Sequence, residues 1–121
     1  MIADRAESNQ NIEIYGTQDA KRNFIHVEDL CHIVTSVVRQ KAFGVFQCVY
    51  PMDVSISQIV RSAHVAFSSD ASIIFRRERP DMLDDDFLHE PNLYQTIGYS
   101  PQISIEDGFA RIARHRRSQK F

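Results

Sequence analysis

Glycine is scarce in this chain of 121 residues: there are four, scattered, so no glycine-rich loop exists to cradle a phosphate. Cysteine is scarcer still. Cys31 and Cys48 form no paired zinc motif and no disulfide framework, and they read as reduced, buried thiols. His64, His89 and His115 show no metal-ligand spacing, and the neighbours Cys31 and His32 would point about 100° apart on a helix. Positive charge is not in excess either. Fourteen Lys and Arg against sixteen Asp and Glu leave a net charge of −2, without the basic face that nucleic acid requires. No apolar run approaches the roughly 20 residues of a bilayer span. The opening Met1-Ile2-Ala3-Asp4-Arg5 is too polar for a signal peptide, which predicts a cytoplasmic protein.

What is present reads as one domain over residues 1–121, with 43% hydrophobic and 25% charged residues. Ile12 and Ile14 alternate with polar neighbours over Asn11–Tyr15. The turn chemistry of Gly16-Thr17-Gln18-Asp19 follows, and Phe24–Val27 resumes extended structure, giving strand, loop, strand. Val27, Leu30, Cys31, Val34, Val37 and Val38 recur at helical spacing, with Glu28 and Asp29 early and Arg39 and Lys41 late. This predicts a helix over Val27–Gln40 whose charges suit its dipole.

Gly44–Tyr50 is almost continuously apolar, which predicts a strand covered on both faces. Ser55 and Gln58 have capping-box spacing, with Val54 placed to staple onto Ile59. The helix they start would bury Ile56, Ile59, Val60, Ala63 and Phe67. Ser72–Arg76 reads as a further strand. Pro91 and Gly98 bracket a short helix. Ser104 and Asp107 open a last one, with Ile105, Phe109, Ile112 and Ala113 inward. Asp84-Asp85-Asp86 reads as the cap of a following helix rather than a cation site. The tail Arg111, Arg114, Arg116, Arg117 and Lys120 reads as dipole-complementing and solvated. Alternating strands and helices predict an α/β fold with a small sheet and three to four helices.

Several segments carry a resemblance in order as well as motif. Ile12-Glu13-Ile14-Tyr15-Gly16 stands six residues before Arg22. Arg22-Asn23-Phe24-Ile25-His26-Val27-Glu28-Asp29-Leu30 is the most specific piece. Gly44-Val45-Phe46-Gln47, Arg79-Pro80-Asp81, Gly98-Tyr99-Ser100-Pro101 and Ser104–Gly108 follow. Together they resemble the C-terminal, substrate-side part of NAD-dependent nucleotide-sugar epimerases and dehydratases, the extended branch of the short-chain dehydrogenase/reductase family. The resemblance departs at Gln47, where the family usually has asparagine, and at Arg79-Pro80-Asp81, which lacks the family's glycine before the aspartate.

The resemblance implies that Arg22 and Arg79 face a substrate diphosphate and that Asp81 approaches the nucleoside ribose. Guanidiniums suit that task through bidentate, charge-assisted bonds to phosphate oxygens. Arg76 and Arg77 are alternatives to Arg79. His26, where the family also has histidine, is expected to cap backbone groups. The family's glycine fingerprint and Tyr-x-x-x-Lys pair are both missing. Tyr15 and Lys21 are six apart across a turn, the wrong spacing for that pair. No catalytic, cofactor-binding or metal residue is therefore assigned, and NAD belongs to the whole family enzyme rather than to this chain. The expected function is nucleotide-sugar binding by a catalytically incomplete portion of such an enzyme. The alternative is an interaction remnant that associates through an orphaned apolar face. Expected partners are a weakly bound nucleotide sugar, a separate NAD-binding chain, and a second copy meeting through the Gly44–Val49 strand or the first long helix. Neither nucleic acid nor membrane is expected.

Overall fold

The computed structural model describes residues 1–120. Its elements run α1 (Ile2–Glu7), β1 (Ile12–Tyr15), β2 (Lys21–Arg22), α2 (Val27–Gln40), β3 (Val54–Ser55), α3 (Ile56–Phe67), β4 (Ile73–Arg76), α4 (Asn92–Ile97) and α5 (Ile105–Ser118). This is a small α/β fold. β1 pairs in parallel with β4, Ile12 opposite Ile73 through Tyr15 opposite Arg76, and β2 pairs antiparallel with β3.

Alternation in β1 turns Ile12 and Ile14 inward, where α1 and α3 cover them. There Ala3, Ala6, Ile59, Val60, Ala63 and Phe109 complete the main core. Helix α3 begins where its capping signal lies: Ser55 Oγ accepts from the Gln58 amide at 3.2 Å, and Asp19 Oδ1 accepts from the Ser57 amide at 2.9 Å. The capping box is only half formed, because the Gln58 side chain donates instead to Glu106 on α5 at 3.0 Å. Ser104 caps α5 in the same manner, its Oγ 3.2 Å from the Asp107 amide, and Gly98 at φ 65° ends α4.

A second cluster lies between α2 and α4, built on Ile33, Leu93 and Ile97. The sequence places α2 correctly, and most of its apolar stripe is left open, with Val37 alone of those residues packed on the second cluster. Its inward face carries Asp29 and Ile33, with Gln40 bonded to the Ile97 carbonyl at 2.7 Å. Val27, Leu30, Val34 and Val38 are exposed. At about 100° per residue the two faces lie roughly 140° apart. Cys31 shares the outer face, so it is a free thiol but not a buried one; Cys48 is half-buried.

Four other expectations are corrected. Gly44–Tyr50 forms no strand, since it finds no partner backbone among the described residues. Exposure alternates only over Val45–Cys48, with Phe46 and Cys48 packed on the second cluster and Val45 and Gln47 facing out, and Val49 beyond them is buried beside the cavity at α4. The pairing expected at Phe24–Val27 sits instead at Lys21–Arg22, and Val27 already begins α2. Asp84-Asp85-Asp86 precedes no helix directly. The Arg/Lys tail is anchored rather than merely solvated: Arg116 reaches Asp4 at 2.9 Å and Glu7 at 2.7 Å, and Lys120 reaches Glu7 at 2.6 Å. Those acids belong to α1, a helix beyond those expected from sequence.

Candidate functional site

The segment after β4 lies across the turn that follows β1 and along β2. Gly16 makes this possible. At φ +91° it holds a left-handed conformation, and a Cβ there would stand 2.5 Å from Asp81 Cα. Beside it, Asp81 Oδ1 accepts from the amide of Thr17 and, at 3.0 Å, from its hydroxyl. Those two bonds, the amide first, hold the Asp81 carboxyl below the usual aspartate range. The next anchor is β2, where the Lys21 amide donates to Asp84 Oδ1 at 2.7 Å and the Asp85 amide donates to the Lys21 carbonyl at 3.1 Å.

The three residues expected at a nucleotide sugar are each engaged. Arg22 Nη1 donates to the Leu83 carbonyl and lies 3.6 Å from Asp85 Oδ1. Arg79 places its guanidinium 5.6 Å above the Tyr15 ring. Asp81 is tied to Thr17 and keeps one carboxylate oxygen for other partners. The segment Arg79–Asp85 thus runs from one arginine to the other, although no direct contact joins Arg22 to Arg79. Arg76 pairs with Glu13 across the sheet, and Arg77 is exposed.

Next to Arg22 the chain turns toward a cavity of about 600 Å³, beside α4. Asn23 donates to the Tyr50 carbonyl at 2.9 Å and to Asp53 at 2.8 Å, and Asp53 meets His89 Nε2 at 3.2 Å on the cavity rim. Tyr94 and Tyr99 form aromatic walls, with Glu90, Gln95 and Gln102 at the edge and no Lys or Arg in the lining. Both phenols are pinned. Tyr94 donates to the Val49 carbonyl, and Tyr99 donates to Asp29 at 2.6 Å. The bond to the ionised carboxylate, helped by burial, pushes Tyr99 up to about 12, and burial with the nearby Cys48 raises Tyr94 as well. Both phenols therefore stay protonated at neutral pH.

Asp29, Asn23, Asp53, His89 and Tyr94 were not singled out from sequence as site or support residues. Asp29 had a usable signal, because its helical phase matches Ile33 rather than the valine stripe. His26 caps α2 as expected, its Nδ1 accepting from the Glu28 amide at 3.1 Å. No group of three His, Cys, Asp or Glu among the described residues is arranged to hold a metal. The starts of α2, α3 and α5 are capped by the side chains of His26, Ser55 and Ser104. No described helix is long and apolar enough to cross a membrane.

No protein-family model and no curated protein matches this sequence. Solved structures do. UDP-N-acetylglucosamine 4-epimerase from Bacillus cereus superposes with a TM-score of 0.77 at 15% identity, over 96% of this chain and 38% of that one. UDP-glucose 4-epimerase from Thermotoga maritima, solved with UDP-glucose, gives 0.72 at 16% over 98% and 38%. The Bordetella bronchiseptica enzyme WbmF, solved with NADH, gives 0.78 at 17% over 98% and 35%. The chain has the fold of a segment of these enzymes. At such identity the likeness establishes fold alone, and the chain spans less than two fifths of their length.

Proposed function

We propose that the chain is the nucleotide-sugar-binding portion of an NAD-dependent epimerase- or dehydratase-like protein. In this reading it positions the sugar nucleotide, and hydride chemistry belongs to a dinucleotide-binding chain acting with it. The observation that carries the reading is the Arg79–Asp85 segment, anchored on Thr17, Lys21 and Arg22, which sets Arg22 and Arg79 at its two ends. Guanidiniums form bidentate, charge-assisted bonds to phosphate, and in this reading both arginines would reach one diphosphate. Asp81 keeps an oxygen for the ribose, and structural neighbours include epimerases named for UDP sugars.

Asp85 and the Leu83 carbonyl hold the Arg22 guanidinium, so a diphosphate must displace them. Affinity for the isolated chain is therefore expected no better than about 100 μM, roughly 5.5 kcal/mol. The test is an NMR titration with UDP-glucose to millimolar concentration. Shifts at Arg22 and around Arg79 are expected, with weaker binding in Arg22→Ala and severalfold tighter binding in Asp85→Asn. Unchanged signals at both arginines would overturn the reading, as would turnover of a nucleotide sugar by the pure chain.

A further inference from the structure

The cavity of about 600 Å³ beside α4 has a chemistry opposite to that of the arginine segment: its lining holds no Lys or Arg. Its two aromatic walls are fixed. The Tyr94 hydroxyl is spent on the Val49 carbonyl and the Tyr99 hydroxyl on Asp29, so both present chiefly ring carbon and lose little freedom when a ligand arrives. The polar groups at the edge are mostly acceptors. His89 Nε2 meets the Asp53 carboxylate at 3.2 Å; the carboxylate only accepts, which assigns the proton to Nε2 and leaves Nδ1 of the neutral ring an acceptor. Gln102 donates its side-chain amide to the Ser100 carbonyl at 2.8 Å and keeps its side-chain oxygen. Glu90 adds an exposed carboxylate, and Gln95 an exposed carboxamide that serves both ways.

We propose that this cavity is a second site, for an uncharged saccharide, with the C–H face of one pyranose ring on the tyrosines and its hydroxyls toward Glu90, Gln95 and Gln102. Each feature selects. With no cation in the lining, nothing offsets the desolvation of a phosphate or carboxylate, and Glu90 repels one. A base such as uracil brings more carbonyls than N–H groups and would leave the acceptors unmet. A quaternary ammonium brings no donor at all. A sugar brings several hydroxyls that donate, and two adjacent ones match the two oxygens of a carboxylate. Its C–H groups suit the electron-rich face of a phenol ring. The volume falls within the range of small-molecule sites. The cavity is approached through Asn23, which turns to Tyr50 and Asp53, whereas Arg22 turns to Leu83 and Asp85. The saccharide site therefore does not rest on a diphosphate at the arginines.

The test is an NMR titration of the chain with methyl glucoside, methyl galactoside and N-acetylglucosamine, none of which carries a charge. Amide shifts at Gln95, Gly98, Tyr99 and Gln102 are expected with at least one of them, saturating at concentrations on the order of a few millimolar. Glu90→Gln should weaken that binding about fivefold and Gln95→Ala about threefold. Both side chains are exposed, so both variants should fold. Tyr94→Leu, checked for folding by circular dichroism, keeps apolar bulk without the ring and should weaken it roughly tenfold. UDP should move signals at Arg22 and around Arg79 and leave Gln95 and Tyr99 unmoved. The absence of saccharide shifts at the cavity overturns the proposal. So does an equal or larger response there to uridine, choline or glucose 1-phosphate, or binding indifferent to both Glu90→Gln and Gln95→Ala. Silence at the arginines with UDP counts against the nucleotide-sugar reading alone, because the saccharide shifts are read at different residues.

Discussion

Tyr99 donates a hydrogen bond of 2.6 Å to Asp29, a carboxylate with no solvent exposure seventy positions earlier in the chain. The same carboxylate accepts from the amides of Gln102 at 3.0 Å and Ile103 at 2.9 Å. One acidic side chain near the start of α2 therefore fixes the whole approach to α5 and one wall of the cavity beside α4.

Replacing Asp29 by Ala should be among the most damaging single changes. It leaves the buried Ile103 amide, the Gln102 amide and the Tyr99 hydroxyl without their acceptor, at a cost of about 3 kcal/mol or more. Tyr99→Phe removes one donor and should cost about 1–2 kcal/mol. Urea midpoints at neutral pH measure both. Equal costs for the two variants would show that the carboxylate does not organise the group.

Acid should attack the same place. Burial alone would raise the Asp29 pKa, but the bonds from Tyr99 and the two amides outweigh it and the folded value lies below the ordinary one. The stabilisation is therefore complete above the unfolded value of about 3.9 and is lost as pH falls through the lower folded value. Tyr99 acts at the other extreme. Its folded pKa is raised to about 12, so its contribution holds below the unfolded value of about 10 and is lost as pH climbs from there toward 12. Urea titrations below pH 4 should show a smaller acid loss in Asp29→Asn than in the wild type, and absorbance titration of the phenols follows the alkaline limb.

Gly16→Ala tests the placement of the arginine loop. A left-handed φ and a Cβ forced onto the Asp81 backbone should together cost about 2–4 kcal/mol. NMR shifts at Thr17, Asp81 and Asp84 should move together as the segment lifts, while the α3–α5 core retains its spectrum. A variant as stable as the wild type, with those shifts unmoved, would refute the close approach.

Much of the fold was legible because its signals are local. Ser55 and Ser104 announce helix starts through their own hydrogen bonds, Gly98 announces a stop, and Ile12 and Ile14 declare an inward face by alternation. Gly44–Tyr50 misled because apolar composition reports burial on average and says nothing of a hydrogen-bonding partner. In α2 the periodicity located the helix, but the face it buries was not legible from hydrophobicity: Ile33 and Val37 share it with Asp29, a buried carboxylate satisfied by distant amides. Helix α1 went unread because Ala3 and Ala6, the residues it buries, are too small to mark a stripe. Of the candidate site, Arg22, Arg79 and Asp81 were named through the family resemblance alone. The engagement of Arg22 by Leu83 and Asp85 depends on contacts some sixty positions apart.

Those distant contacts also set the tempo at which the chain can assemble. The parallel β1–β4 pair begins with Asn11 receiving the Ser72 amide, 61 positions away, and Arg116 must find Glu7 across 109. Local capping lets α3 and α5 flicker into existence early, but neither ladder nor ion pair can form until large loops have closed, and the entropy of that closure precedes any reward. Newly made chains should therefore linger with Ile12, Ile14, Val60 and Phe109 uncovered. That interval is when they are most exposed to chaperones, proteases and one another.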